Sequence, residues 1–352
     1  MITEGKAKID IDDSTLISKK LSVFYNPLMK LNRDLSIEII KNYASKKRPL
    51  RVALPLSGSG IRGIRFLLEC PKYVKHVSFN DLDKESVRKI MDNIILNKIN
   101  NYELFTCFKE EAQSFLLESK GFDYIDIDPY GTPNPFLDSS CQRISRNGIL
   151  AITATDTAPL SGTYPKVCMR NYDSTPLRND LKHIIGLRIL IRKVQLVGAQ
   201  YEKALYPIFS YSKHHYFRIF FKAVKSKEKC NEIISDHKYL IYDKKTCGYN
   251  YSYKNCTDDK NCVVAGKMYS GNLWDKTLAS KIDLIKEIPE ESSFDGKYYH
   301  VHRLASLKKN SVPQFKRLIS KINEKGKRAC RTHFSKEMIK TDIEIDDLIE
   351  LI

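Results

Sequence analysis

Residues 51–63, which read RVALPLSGSGIRG, decide the fold of this 352-residue chain. Their apolar first part predicts a β-strand over residues 51–56, and the periodic residues from Ile61 onward predict a helix. Gly58 and Gly60 let the backbone between them approach a ligand closely, and the free amides of a helix N-terminus attract an anion. The stretch therefore predicts a strand–loop–helix turn that binds a cofactor.

Apolar strand-like runs alternate with helical stretches along the first half of the chain. Further strands are predicted over residues 74–80, 122–127 and 149–153, and a helix over residues 84–97 begins after Asp83 as N-cap. A long helix over residues 179–201 precedes strands over 204–210 and 215–224, which suit a closing antiparallel hairpin. This alternation predicts an α/β, Rossmann-like fold with a parallel sheet and crossover helices.

A composition shift near Ser226 marks the predicted domain boundary. We expect a doubly wound domain over residues 1–225 and a mixed α/β C-terminal domain over residues 226–352. Residues 321–340 of the latter are strongly basic, whereas the last dozen residues are acidic.

The net charge of +17 favours a polyanionic partner, because each neutralised phosphate releases condensed counterions. No apolar run approaches the roughly 18–20 residues that cross a bilayer, and the N-terminus has no apolar signal-peptide core. We therefore expect a cytoplasmic protein that binds nucleic acid and no membrane.

The glycine loop alone does not identify its cofactor. Its pattern fits Gly-x-Gly-x-x-Gly, and Asp81 ends the next predicted strand, where a carboxylate can bind ribose hydroxyls. Both a nicotinamide dinucleotide and S-adenosylmethionine present an adenosine ribose at this place. The loop leaves both cofactors open.

Residues 122–131, FDYIDIDPYG, favour the second cofactor. An alternating strand runs directly into Asp128, Pro129 and Tyr130, at the edge of a parallel sheet where ligands bind. A fixed carboxylate activates a weakly nucleophilic exocyclic amine by accepting its N–H bonds, and an aromatic ring stacks on the target base. Amino-methyltransferases carry an Asp/Asn-Pro-Pro-aromatic box here, and a dehydrogenase needs none, so the segment predicts a class I methyltransferase.

Several motifs together resemble those of the tRNA guanine-26 N2-dimethyltransferase family. They follow one another in the family's order along nearly the whole chain, as FYNPLM (residues 24–29), NRD (32–34), SGIRGIR (59–65), ND (80–81), DIDPYG (126–131), TATDTAPL (153–160), RTHFS (331–335) and IKT (339–341). The resemblance implies S-adenosylmethionine as methyl donor and the N2 of one tRNA guanosine as acceptor. It leaves open whether one or two methyl groups are transferred.

The resemblance also implies roles for individual residues. Asp128 becomes the catalytic carboxylate, with Pro129 and with Tyr130 as the stacking residue. Asp81 becomes the ribose ligand. The remaining cofactor-side positions that match the family are Phe24, Arg33, Arg62, Glu111 and Ala112.

Other polar residues are placed by simpler arguments. Asp34 is predicted to cap a helix that starts at Leu35. Asp156 is expected to support the target base. Four basic residues are expected to contact tRNA phosphates without recognising the base sequence: Lys325, Lys327, Arg328 and Arg331.

The nine cysteines predict neither disulfides nor a metal site. Cys247, Cys256 and Cys262 are spaced nine and six apart, and His237 is the remaining candidate ligand, whereas tetrahedral zinc favours a close cysteine pair. No obligate protein partner is inferred. The alternatives are an adenine N6-methyltransferase acting on DNA or RNA, a NAD(P)-dependent oxidoreductase, and a catalytically silent RNA-binding protein.

Overall fold

The computed structural model describes residues 1–10 and 25–352 of the chain. The elements of its first part are β1 (Ile2–Glu4), β2 (Ala7–Ile9), α1 (Lys30–Tyr43), β3 (Leu50–Leu54), α2 (Ile61–Glu69), β4 (Val74–Asn80), α3 (Lys84–Leu96), β5 (Phe105–Phe108), α4 (Ala112–Glu118), β6 (Phe122–Ile127), α5 (Asn134–Arg143) and β7 (Ile144–Ala154). Two 3-10 turns accompany them, at Pro27–Met29 and Tyr102–Leu104.

The later part of the chain begins with helices and ends in short mixed elements. They are α6 (Thr157–Leu160), α7 (Pro165–Tyr172), α8 (Lys182–Gln200), β8 (Lys203–Lys213), β9 (Tyr216–Lys225), α9 (Lys227–Ser235), β10 (His237–Asp243), β11 (Tyr249–Ser252), β12 (Cys262–Tyr269), α10 (Lys276–Ala279), α11 (Ile288–Ser293), β13 (Lys297–His300), α12 (Val301–Leu307), α13 (Phe315–Glu324), β14 (Ala329–Arg331), β15 (Met338–Thr341) and α14 (Ile345–Leu351).

The main sheet has the strand order β5-β4-β3-β6-β7-β9-β8. The pairs β3–β4, β4–β5, β3–β6 and β6–β7 are parallel, and every residue of β6 is buried. Because the winding reverses between β3 and β6, the carboxyl ends of these two strands flank a topological switch point, where open α/β sheets bind ligands. The predicted α/β fold class is confirmed.

The predicted strands and helices of this sheet are close to the observed ones. Asp83 caps α3 as expected, because its Oδ2 accepts the Ser86 amide at 2.7 Å. The edge strand β5 was not predicted, since its four residues are too few to show a period.

The prediction that Asp34 caps a helix from Leu35 is wrong. The helix α1 already begins at Lys30, after a 3-10 turn that Asn26 caps by accepting the Leu28 amide at 2.9 Å. Proline at the first position of that turn starts the helical geometry early. Asp34 lies inside α1 and forms ion pairs with Lys30 and Arg65.

The chain divides into two compact units. The first comprises residues 1–154, 197–206 and 220–229, and the second comprises residues 155–196, 207–219 and 230–352. The second contains two three-stranded sheets, ordered β11-β10-β12 and β13-β15-β14, with helices around them. The functional boundary between residues 225 and 226 stays a prediction.

Candidate active site

The loop between β3 and α2 is held in the shape that its glycines allow. Gly58 and Gly60 have φ angles of 52° and 77°, in the left-handed region that favours glycine. The Gly58 amide donates to Asp81 Oδ2 at 2.8 Å. A Cβ on Gly63 would overlap the Phe79 ring, so this glycine brings α2 close to β4.

Asp81 lies at the end of β4, beside this loop. Its two carboxylate oxygens accept the amides of Gly58 and Asp83, at 2.8 and 3.1 Å. Burial raises the pKa of Asp81 above its ordinary value, although these amide hydrogen bonds act to lower it. The lone pairs that remain on the two oxygens can accept ribose hydroxyls, as the sequence predicted.

Asn80 joins the loops that follow three strands, a role that the sequence did not single out. Its side-chain amide donates to the carbonyls of Pro55 and Glu110, both at 3.0 Å, and its oxygen accepts the Glu110 amide at 3.0 Å. Asn80 is fully buried. A buried amide at the end of an apolar strand was the available signal, because it has to be hydrogen-bonded.

Glu111 is the N-cap of α4. Its Oε2 accepts the amides of Gln113 and Ser114, at 2.8 and 3.1 Å, while Ala112 is buried at the first helical position. The side chain of Glu111 therefore fixes the helix start. A contact of Glu111 or Ala112 with a cofactor stays a prediction.

Asp128 lies immediately after β6, and Arg62 of α2 reaches it across the switch point. Arg62 Nη2 donates to Asp128 Oδ2, while Nη1 donates to Asn32 Oδ1 at 2.9 Å and to Ser36 Oγ at 3.0 Å. Nη1 also lies 3.5 Å from Asp126 Oδ2. The structure thus brings the predicted catalytic carboxylate to the helix that the glycine loop opens.

The residues after Asp128 form a turn with one exposed ring. Pro129 is buried, and Gly131 has a φ of 88°, which explains glycine at this position. Tyr130 is 47% exposed, and burial of the rest raises the pKa of its hydroxyl to about 12. The ring is therefore neutral at physiological pH and presents a surface for stacking.

Arg33 is buried in an ion pair rather than lying open beside the loop. Its Nε donates to Glu4 Oε1 at 2.7 Å and its Nη2 to Glu4 Oε2 at 2.5 Å, and the guanidinium lies 5.1 Å from the centre of the Tyr25 ring. Its predicted contact with the cofactor stays a prediction. Phe24, the other predicted residue of this segment, lies outside the described residues.

The predicted tRNA-contacting residues belong to the second unit. Asp156 precedes α6, and its Oδ2 accepts the Tyr172 hydroxyl at 2.6 Å. Of the other four, Lys325, Lys327 and Arg328 are exposed between α13 and β14, and Arg331, the last residue of β14, is half-buried. The guanidinium of Arg331 lies 3.7 Å from the centre of the Phe315 ring, and that of Arg328 lies 4.8 Å from the centre of the Phe294 ring.

Neither a metal centre nor a membrane segment is found in residues 1–10 and 25–352. No three metal-binding side chains converge there, and His237 Nε2 instead lies 2.8 Å from Gln195 Oε1. In the same residues, no helix combines the length and apolar character that crossing a bilayer requires.

A family model described as N2,N2-dimethylguanosine tRNA methyltransferase matches residues 5–352. This chain belongs to that family. The membership confirms the resemblance that the sequence motifs indicated. It rests on nearly the full chain, including the segments around Asp81 and Asp128.

Individual family members are similar over their whole length. The tRNA (guanine(26)-N(2)/guanine(27)-N(2))-dimethyltransferase of Aquifex aeolicus is 37% identical, with 99% of this chain and 95% of the relative covered. The tRNA (guanine(26)-N(2))-dimethyltransferase of Methanococcus aeolicus is 34% identical, with 100% and 97% covered. Trm1 from Pyrococcus horikoshii, solved in complex with S-adenosyl-L-methionine, superposes with a TM-score of 0.89 at 31% identity, with 100% of this chain and 99% of that chain covered.

Proposed function

We propose that this family member transfers one or two methyl groups from S-adenosylmethionine to the exocyclic N2 of guanosine 26 in tRNA. One observation carries the proposal: Asp128 lies at the switch point, beside the helix that the glycine loop opens, and is paired with Arg62. The relatives named for this reaction and the Trm1 structure with its bound methyl donor support it.

The polar groups that follow β3, β4 and β5, at the edge of the sheet where Asp128 lies, fit this methyl donor. Asp81 supplies a carboxylate for ribose hydroxyls, and the left-handed backbone at Gly58 and Gly60 lets the loop approach a ligand closely. In addition, Ser59 Oγ in this loop and Gln113 Oε1 beside Ala112 are buried and have no hydrogen-bond partner among the described residues. Because buried polar atoms are normally satisfied, these two atoms support a ligand along this edge of the sheet.

The donor supplies an electrophilic methyl group, and the chain supplies the activation of the amine. Asp128 accepts the N–H bonds of guanine N2, which localises the nitrogen lone pair and stabilises the positive charge that develops on it. As the bond from N2 to the methyl group forms and the methyl–sulfur bond breaks, Asp128 takes the proton that N2 loses. Arg62 holds the carboxylate in one orientation and stabilises its negative charge. Pro129 stiffens the turn, and Tyr130 stacks on the base after it leaves the tRNA helix.

We assign recognition of the tRNA backbone to the second part of the protein. The basic residues Lys325, Lys327, Arg328 and Arg331 offer positive charge to phosphates, and Asp156 supports the target base through its own hydrogen-bonded turn. Asp156 then belongs to a methyltransferase domain over residues 1–225, and the four basic residues belong to a tRNA-binding domain over residues 226–352. We place the protein in the cytoplasm and infer no obligate protein partner.

The test is nucleoside mass spectrometry of tRNA transcripts incubated with the protein and S-adenosylmethionine. We expect methylated guanosine in the wild-type reaction and none when guanosine 26 is changed to adenosine. In Asp128→Ala, kcat should fall by about 10²–10³-fold, because one preorganised electrostatic contact to the transition state is lost. Asp128→Asn keeps an acceptor oxygen without its charge, so its kcat should lie between those of the wild type and Asp128→Ala.

Glu85→Gln is the matched control, because it removes an exposed carboxylate of the same unit and should keep full activity. Wild-type rates in Asp128→Ala would contradict the proposed mechanism. N6-methyladenosine as the product would assign the alternative reaction. A thermal shift with nicotinamide dinucleotide and none with S-adenosylhomocysteine would contradict the cofactor assignment.

A further inference from the structure

The second unit contains a cavity of about 290 Å³ that the proposed function has not used. Its walls come from the first turn of α8, the end of β8, the segment before α11, and the loop between β14 and β15. Most of its ionisable wall residues are basic, and one is acidic: His183, Lys213, His214, His333 and Lys336, with Glu287.

A buried carboxylate lies behind one of these residues. Glu291 Oε1 accepts the backbone amide of His333, and His333 Nδ1 lies 2.9 Å from the same oxygen. The side chains of Glu291 and His333 are 0% and 3% exposed. Because a buried carboxylate needs hydrogen-bond donors, it fixes a proton on Nδ1 and leaves Nε2 as the ring nitrogen for another partner.

The other ring nitrogen of His333 lacks a partner. Nε2 is buried and forms no hydrogen bond with any of the described residues, while the ring itself lines the cavity. Buried polar atoms in folded proteins are almost always hydrogen-bonded. In the doubly protonated ring, Nε2–H is a charge-assisted donor, and its complement is an anionic oxygen.

The surroundings add positive potential to this donor. Lys213 and Lys336 are exposed at the rim, and His183 lies in the first turn of α8, where the helix dipole is positive. Burial lowers the pKa of His183, and the charges of Lys182 and His333 lower it further. The cavity therefore combines a buried donor, flexible cations and a helix N-terminus.

We propose that this cavity binds one backbone phosphate of tRNA, with His333 Nε2 as the buried donor and Lys213 and Lys336 as the rim cations. The buried Nε2 and the two rim lysines against the single acidic residue Glu287 suit an anion rather than a neutral base. The assignment of the phosphate to tRNA rests on the proposed function. It gives a role to His333 of the motif RTHFS (residues 331–335), a residue for which the sequence supplied a family resemblance alone.

The test compares tRNA affinity over a series of salt concentrations in the full-length protein. In Lys213→Ala/Lys336→Ala we expect affinity to fall, and the slope of log K against log salt to decrease in magnitude by about one, because binding with one phosphate contact fewer releases about one condensed counterion fewer. The control Lys254→Ala/Lys260→Ala removes the same charge from exposed positions outside the cavity and should change the slope less. His333→Gln should raise KM for tRNA without changing kcat.

The rim variant, Lys213→Ala/Lys336→Ala, tests the cavity even if His333→Gln does not fold, since both lysines are exposed. An unchanged slope, or equal slopes in the rim and control variants, would overturn it. Binding of inorganic phosphate, seen by line broadening in its phosphorus NMR spectrum, with tRNA affinity unaffected by the rim change, would also overturn it and assign a free anion. If the rim changes the slope but wild-type protein methylates no tRNA, the cavity proposal stands and the proposed function fails.

Discussion

Glu4 and Asp128, two of the arginine-paired carboxylates of the first unit, differ in how completely their charge is enclosed. The side chain of Glu4 is 2% exposed and is bound by both Arg33 and Arg65. The side chain of Asp128 is 20% exposed, and the ion pair found for it among residues 1–10 and 25–352 is the one with Arg62. An enclosed carboxylate with all its partners can only stabilise the fold, whereas a carboxylate bound from one side keeps lone pairs for a substrate.

The pKa of Glu4 shows how strongly it is held. Burial alone would raise this pKa, but the hydrogen bonds and charges of Arg33 and Arg65 outweigh burial and lower it to about 2. The Tyr25 hydroxyl adds a third donor to Glu4 at 3.0 Å. Glu4 thereby connects the β1–β2 hairpin to α1 and α2 of the same unit.

The largest effect on stability is expected from Glu4→Gln. This change leaves two buried arginines without their shared carboxylate, and breaking a buried ion pair costs about 3–5 kcal/mol of unfolding free energy. Denaturant unfolding measures the loss. Glu85→Gln, which breaks an exposed pair with Arg88, should cost less than about 1 kcal/mol. Equal losses in the two variants would contradict the distinction between enclosed and exposed pairs.

Arg62→Met tests the pairing of Asp128, the partly exposed carboxylate. We expect a smaller change in free energy than for Glu4→Gln. Without Arg62, Asp128 loses its fixed orientation, and kcat should fall by up to about a hundredfold, as misplacement of a reacting group does. Single-turnover kinetics and calorimetric titration with S-adenosylmethionine distinguish a role of Arg62 in orienting Asp128 from a role in binding the methyl donor. A weakened affinity for the methyl donor with normal turnover would instead assign Arg62 to the cofactor side, as the sequence predicted.

Tyr130→Ala is expected to have a moderate effect on substrate binding. Loss of one base–aromatic stack costs about 1–3 kcal/mol, which should raise KM for tRNA by roughly tenfold. Tyr130→Phe is the control and should keep the wild-type KM, because the hydroxyl with its pKa of about 12 carries no charge at neutral pH. Equal KM values in the alanine and phenylalanine variants would exclude stacking by this ring.

The smallest effect is expected on the free energy of unfolding in mild acid. Because the pKa of Glu4 is lowered from 4.5 to about 2, the unfolded chain binds its proton first as pH falls. The stability that Glu4 contributes is therefore complete above pH 4.5 and declines toward pH 2. The difference in unfolding free energy between wild type and Glu4→Gln should shrink over that range. A constant difference would show that Glu4 does not titrate in this way.

The sequence by itself determined the local features of this protein. The glycine loop, the Asp83 cap and the apolar strand that ends at Asp128 each depend on neighbouring residues, so their patterns are visible within a dozen positions. The resemblance in eight motifs identified the family for the same reason.

Only the tertiary structure decided which charged side chains meet. Arg62 reaches Asp128 across 66 positions, Arg65 reaches Glu4 across 61, and Glu291 reaches His333 across 42. No local pattern specifies such pairs, since they depend on how helices and strands pack against one another. The same limit explains why Asp34, which resembled a helix cap, lies inside α1 as an ion-pair partner of Arg65.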